Sequence, residues 1–147
     1  MTRNFRSVDL SNAHGSGNLA FVTEGNRDFM KRCADCIAGA ALGEGAFSPG
    51  PAIWVGQREV AHFDGPGEVD VRLTRQVIRE RRAELRSDER VELRRGTSDW
   101  IRVRVCLNAD VDHAFAFVRD AVAANLATAK SGLPPSGTEL ARRRRFH

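Results

Sequence analysis

The sequence predicts an α+β protein with an antiparallel sheet of about five strands, packed on one face by two to three helices. Short segments with alternating apolar and polar residues fill the stretch 51–107, and a period of two is typical of strands that bury one face. Apolar residues three and four positions apart mark helices before and after that stretch, at 26–42 and 108–126. The connections between the strands are short, which favours antiparallel neighbours.

A chain of 147 residues is close to the usual size of one domain. We predict a flexible N-terminal arm at 1–25, a single α+β domain at 26–128 and a disordered basic C-terminal tail at 129–147. The tail reads SGLPPSGTEL before its arginines, and this composition buries too little apolar surface to order itself. No apolar run reaches the ~20 residues of a membrane helix and no secretory signal is recognisable, so we expect a cytoplasmic protein that does not contact a membrane.

The net charge of +4 comes entirely from the end of the chain, where four arginines follow one another: Arg142, Arg143, Arg144 and Arg145. Without them, 19 of the 23 Lys and Arg residues remain, equal to the 19 Asp and Glu residues. The body of the protein is formally neutral, so its composition gives little support for nucleic-acid binding. The arginine cluster itself can bind phosphates weakly and with strong salt dependence.

The first helix is expected to begin at Asn26, a suitable N-cap, and to end at Gly43. Its apolar positions are Phe29, Met30, Cys33, Ile37, Ala40 and Ala41. In the preceding arm, residues 19–23 have the pattern of a short strand. The Gly- and Pro-rich segment 43–51 is typical of a loop.

Three strands are predicted next, at 52–55, 58–64 and 68–73, separated by Gly56-Gln57 and by an Asp-Gly-Pro-Gly turn. They are expected to form an antiparallel meander.

The second half of the sheet region contains one helix and two further strands. Thr74 can cap a helix that runs to about residue 86, and its arginines and glutamates are expected to face solvent. Strands follow at 90–95 and 100–107, and Asn108 or Asp110 can cap the last helix.

Alternation along these strands collects polar side chains on one face of the sheet. If Ala61 faces the core, then Val60 and His62 face the other way. The same rule adds these residues to that face: Asp64, Asp70, Arg72, Glu92, Arg94, Trp100, Arg102 and Arg104. Two interpretations are open: a binding site centred on His62, or a solvated face held together by ion pairs between strands.

The binding-site interpretation predicts an acid or base at His62, whose ordinary pKa is ~6.5. A carboxylate beside it, Asp64 or Asp70, would orient the ring and raise its pKa, so these three residues are the catalytic candidates. Four side chains are candidates for holding a polar or anionic small molecule, three as guanidinium groups and one as a stacking surface: Arg58, Arg72, Arg102 and Trp100.

A metal site or cofactor site has little support. Cys33 and Cys36 form a CxxC in the middle of a helical pattern, and Cys106 is the only other cysteine, so a site with four cysteines is impossible. The spacing to His14 or His62 does not suggest a mixed site. Walker, dinucleotide, GxSxG and HExxH motifs are absent. We therefore predict no metal, no cofactor and buried structural thiols.

The segment from Trp54 to Gly65, followed by Val69-Asp70-Val71 and by Ser98-Asp99-Trp100-Ile101, resembles the luciferase-domain family of bacterial and fungal proteins. The family pattern has a strand with Arg-Glu, a Gly-His-x-His-Gly stretch, an acidic residue in the next strand and a Gly-Trp before the last strand. The resemblance covers about residues 50–126. It implies a compact α+β domain of largely unassigned activity, and the family name does not imply light emission.

The chain departs from this pattern at three positions. Ala61 replaces a glycine, Asp64 stands where the second histidine is expected, and Asp99 precedes the tryptophan where glycine is common. A metal site made of two histidines is therefore not expected, whereas a pair of His62 with a carboxylate is.

Our preferred hypothesis is a small-molecule-binding protein, acting as an acid–base enzyme of bacterial metabolism through His62. The alternative is a noncatalytic module that binds a protein or nucleic acid through the sheet face or the arginine tail. An uncovered sheet face or edge also favours a homodimer.

Overall fold

The computed structural model describes the backbone of residues 16–144 and the side chains of residues 25–142. It confirms the α+β class, with six strands where about five were predicted. The strands are β1 (Ala41–Glu44), β2 (Pro51–Val55), β3 (Arg58–Phe63), β4 (Glu68–Arg72), β5 (Val91–Leu93) and β6 (Trp100–Arg104). The helices are α1 (Ser16–Cys36), α2 (Arg75–Glu80), α3 (Arg82–Ser87), α4 (Asn108–Leu126) and α5 (Gly137–Arg144). None of the helices within residues 16–144 is long and apolar enough to cross a membrane.

The strands form one sheet in the order β1-β2-β3-β4-β6-β5, and every neighbouring pair is antiparallel. The main core lies between one face of this sheet and the helices α1 and α4. Met30 and Cys33 of α1 and Val118 of α4 are fully buried there against Val71 and Val103 of the sheet. The interior is therefore made by the apolar sides of the alternating strands, as the sequence pattern predicts.

The start of the chain differs from the prediction. The α1 helix begins before residue 26, includes residues 19–23, which we expected as a strand, and ends at Cys36 instead of Gly43. Ala41–Glu44 forms the edge strand β1 because it pairs with β2, so tertiary pairing prevails over the helical spacing of two alanines. Residues 1–15 of the predicted arm lie outside the described residues. The helix expected at 74–86 is present as two short helices, α2 and α3.

Residues 129–144, which we expected to begin a disordered tail, return to the sheet. The backbone carbonyl oxygen of Lys130 accepts a hydrogen bond from the backbone N–H of Gln57 at 2.9 Å. This close approach requires glycine at position 56, which has a φ of 57° and whose Cβ would lie 2.2 Å from the Lys130 oxygen. Beyond it, α5 packs on the sheet face opposite the main core, where Leu140 is 1% exposed.

Leu140 packs in a second, smaller apolar cluster with Ala52 and Trp54 of β2. We expect Leu140→Ala to lower the free energy of unfolding by about 2–3 kcal/mol, since it removes a buried side chain and leaves a cavity. Leu133→Ala is the matched control, because Leu133 is 85% exposed, and its effect should stay within about 0.5 kcal/mol. Urea unfolding followed through tryptophan fluorescence measures both. Equal effects of the two substitutions would contradict the packing of α5.

Candidate functional site

A β-bulge in β3 decides which side chains reach the polar face of the sheet. Ile53 of β2 lies opposite Ala61, but the next residue, Trp54, lies opposite Glu59, so Val60 has no direct partner on β2. An extra residue reverses the alternation of side chains on one side of the bulge. Glu59 therefore shares a face with His62, which strict alternation forbids.

The same bulge corrects two predicted positions. Val60 was expected on the polar face, but it is fully buried in the main core. Arg58 was expected to hold a ligand, but it turns toward the helices and donates hydrogen bonds to Asn125 Oδ1 at 3.2 Å and to Thr128 Oγ1 at 2.8 Å. Arg58 therefore fastens the end of α4 to the sheet and does not reach the face of His62.

His62 lies between two carboxylates. Its Nδ1 is 2.8 Å from Oε2 of Glu59, and its Nε2 is 3.4 Å from Oδ2 of Asp70, which is opposite it on β4. All three residues are buried, with exposures of 7% for His62 and 3% for each acid. The contact with Glu59 is an ion pair without hydrogen-bond alignment, because neither atom has a hydrogen-bond partner within the described residues. The other oxygen of Glu59 accepts the backbone N–H of Ala46 at 2.6 Å.

This arrangement keeps His62 protonated. Burial opposes the charged form, whereas the contacts and negative charges of Asp70 and Glu59 favour it and prevail. The pKa of His62 rises from 6.5 to about 9. At neutral pH the ring is therefore an imidazolium with a hydrogen on each nitrogen, which suits an acid or an anion-binding group better than a base.

Asp70 is held as a carboxylate by two arginines in addition to His62. Arg102 donates from Nε to Oδ1 at 2.9 Å, and Arg94 donates from Nη2 to Oδ2 at 2.9 Å. Burial works against the charge of Asp70, but the bonds from His62 and Arg102 and the charges of both arginines outweigh it, so the pKa of Asp70 is lowered. The aspartate consequently carries a permanent negative charge beside the His62 ring.

Arg102 is surrounded by acidic residues and is a positioning residue for Asp70. It also contacts Asp64 and lies 3.2 Å from Glu68. The hydrogen bonds to Asp70 are the main reason why the pKa of the Arg102 guanidinium is raised. Arg102 was predicted to hold a ligand, but its donors are directed to these carboxylates. Asp64, which stands where the resemblance implies a second histidine, pairs with Arg102 instead of His62.

Aromatic rings surround the His62 ring on the side away from the core. The ring centroids of Trp100 and Phe47 lie 5.1 Å and 5.8 Å from that of His62, and 5.7 Å from each other. Phe47 belongs to the loop 45–50 and is 68% exposed. Cζ of Arg72 lies 5.8 Å from the centroid of the Trp100 ring, and its Nη2 is 3.4 Å from Oδ2 of Asp99. Arg72 therefore packs on the tryptophan as a cation–π partner.

These rings border a cleft of about 430 Å³. Four of the predicted site residues line it: His62, Asp64, Asp70 and Trp100. Arg58, Arg72 and Arg102 do not line it, whereas Phe47 and Arg94, which we did not predict as site residues, do. The volume is within the range of small-molecule sites. The one sign of the bulge in the sequence was the apolar residue Val60 on a face expected to be polar. Recognising the bulge would have placed Glu59 at the site.

The cysteines do not contribute to this cleft. Cys33 is buried in the main core, and burial raises the pKa of its thiol to about 12, so the thiol is unreactive. Cys36 and Cys106 are free and exposed, which corrects the expectation of buried thiols. Between residues 25 and 142, whose side chains the structure describes, no three side chains of His, Cys, Asp or Glu are placed to hold a metal ion. His14 lies outside the described residues.

The predicted arginine cluster is only partly described. Arg142 lies in α5 and is exposed, and α5 extends to Arg144, whereas Arg145 lies outside the described residues. The cluster is therefore continuous with a helix that packs on the sheet through Leu140.

The fold and the cleft define a small α+β protein with a buried imidazolium between two carboxylates. Residues 57–121, less than half of the chain, match the family model described as Luciferase domain. This confirms the resemblance found in the sequence. The matched stretch contains Glu59, His62, Asp70 and Trp100, whereas Phe47 lies outside it. Neither the curated proteins nor the solved structures give a match to this chain.

Proposed function

We propose that this protein binds a small polar or anionic molecule in the His62 cleft and that His62 acts on it as a general acid. The observation that supports this most is the position of His62 at the cleft, buried between Glu59 and Asp70 and beside the rings of Phe47 and Trp100. A solvated sheet face has no need to bury a charged ring between two acids, because burial of each charge carries a desolvation cost. We place this activity in bacterial, cytoplasmic metabolism.

The parts of the cleft have complementary tasks. The imidazolium of His62 donates a hydrogen bond or a proton to an oxygen or nitrogen of the ligand from Nε2, because Nδ1 is buried against Glu59 and the contact of Nε2 with Asp70 is the longer one at 3.4 Å. Glu59 and Asp70 stabilise the charged form of the ring. Trp100 and Phe47 provide apolar surfaces against which a flat part of the ligand packs. Arg94 is 44% exposed on its side chain and adds a positive charge at the edge of the cleft.

A screen of small carboxylates, phosphates and polyols by thermal shift tests this proposal. A ligand present at 100 times its Kd should stabilise the wild-type protein by about 2.7 kcal/mol. His62→Gln should weaken binding at least about tenfold, because it removes a charged donor, and it should abolish any turnover of the bound compound.

His113→Gln is the matched control. His113 is also partly buried and its Nε2 lies 2.6 Å from Oδ2 of Asp88, but it packs on Phe117 of α4, away from the cleft. This variant should bind ligands as the wild type does. Unchanged binding and turnover in His62→Gln would contradict the proposed function.

A further inference from the structure

A second, smaller pocket adjoins the His62 cleft and is rich in arginine. Its volume is about 70 Å³, and four arginines are among the residues that line it: Arg75, Arg79, Arg82 and Arg94. Among the residues whose side chains are described, no Asp or Glu lines it. A water molecule takes about 30 Å³ of the liquid, so the pocket has room for a compact group such as a tetrahedral oxyanion.

The arginines of this pocket are not all neutralised. Arg94 is paired with Asp70 at 2.9 Å, and Arg75 lies 3.7 Å from Asp99. Arg79 and Arg82 have no ion pair with an acidic residue in the part of the chain that the structure describes. Two positive charges are thus uncompensated beside a small concave space, although the body of the protein has equal numbers of acidic and basic residues.

The pocket also has hydroxyl groups that suit an oxyanion. Thr97 and Ser98 line it, and Ser98 Oγ accepts the backbone N–H of Trp100 at 3.1 Å, which leaves its own hydrogen free for donation. Guanidinium and hydroxyl donors without a competing carboxylate are the groups that bind phosphate.

The pocket and the cleft share part of their walls. Arg94, Ser98 and Trp100 line both spaces, so the two spaces meet at these residues. A ligand with a tetrahedral oxyanion at one end can therefore place that end among the arginines while its body lies on Trp100 and its other end faces His62.

We propose that the ligand of the His62 cleft is a phosphate monoester, or a chemically equivalent oxyanion ester, whose phosphate binds in the arginine pocket. This inference rests on the proposed function of the cleft and adds to it the chemical class of the ligand. A nucleic acid is disfavoured, because the arginine pocket holds one compact group and the body of the protein is formally neutral.

Binding of three probes, phenyl phosphate, inorganic phosphate and phenol, tests the proposal at constant ionic strength. The readout is the indole N–H resonance of Trp100 together with calorimetry. We expect phenyl phosphate to bind more tightly than inorganic phosphate, and phenol to bind more weakly than phenyl phosphate. Arg79→Gln/Arg82→Gln should weaken both phosphates by about tenfold or more, since each loses charge-assisted contacts, and leave phenol unchanged.

Arg27→Gln/Arg119→Gln is the matched control, because it removes the same charge from two exposed arginines of α1 and α4. It should bind all three probes as the wild type does. Equal phosphate binding by the two double variants would overturn the inference. A single-stranded oligonucleotide that binds more tightly than phenyl phosphate, and depends on the same arginines, would overturn it in favour of nucleic acid.

The outcomes separate this inference from the proposed function. If both phosphates depend on Arg79 and Arg82 but bind equally well, and phenol does not bind, the arginine pocket is supported and the function of the cleft fails. If ligands depend on His62 but not on Arg79 and Arg82, the cleft is supported and the phosphate assignment fails.

Discussion

The free energy of unfolding should fall by about 3 kcal/mol as the pH rises from 6.5 to 9, because His62 holds its proton more tightly in the folded protein. In the unfolded chain the ring loses its proton near pH 6.5, whereas in the folded protein its pKa is about 9. The stabilisation is complete below pH 6.5, since both states are then protonated, and it is lost as the pH passes through the folded value. Urea unfolding at several pH values measures this slope.

Two variants show whether His62 is the source of the slope. His62→Gln should remove most of the pH dependence between 6.5 and 9, and His113→Gln should retain the part that His62 contributes. The pH range of the unfolding experiment should end at pH 9. Above it, the Cys33 thiol loses its proton in the unfolded chain but keeps it in the folded protein, where its pKa is about 12, and this lowers the stability further. A stability that stays constant across this range in the wild type would contradict a raised pKa of His62.

Asp70→Asn should be the most disruptive single substitution in the cleft. It removes the charge that His62, Arg94 and Arg102 share, and it leaves buried donors without an anionic acceptor. We expect a loss of about 2–3 kcal/mol in the free energy of unfolding, and a decrease of about 1–3 units in the pKa of His62. Urea unfolding and an NMR titration of the His62 ring measure the two effects.

Asp64→Asn is the control for this substitution. Asp64 also pairs with Arg102 and lines the cleft, but its side chain is 52% exposed and it has no contact with His62. Its substitution should cost at most about 1 kcal/mol, as exposed ion pairs do, and should leave the His62 titration in place. Equal effects of the two substitutions would show that Asp70 has no special role.

Much of the sheet could be predicted from the sequence, because alternation is a strong signal where one face is buried. The strands β4 and β6 have Asp70, Trp100 and Arg102 on the face that alternation predicts, opposite the buried Val71 and Val103. The pair of His62 with Asp70 followed from this, since the two residues are opposite each other on neighbouring strands.

The rest depended on contacts that a local pattern does not contain. Because of the bulge at Val60, Glu59 lies on the polar face where alternation predicts Arg58. The bulge can be recognised only from the pairing of β3 with β2. The loop that brings Phe47 beside His62 was recognisable as a loop but not as a wall of the cleft. The order of α5 comes from burial of Leu140 against Trp54, a contact distant in sequence that outweighs the polar composition of the segment.

The central claim is that His62 is an imidazolium held between Glu59 and Asp70 at neutral pH. An NMR titration of the His62 ring in the wild-type protein, from pH 5 to pH 10.5, tests it most directly. We predict a midpoint near 9, and a decrease in that midpoint when Glu59 is replaced by glutamine. A midpoint near 6.5, the value of an unperturbed histidine, would contradict the account.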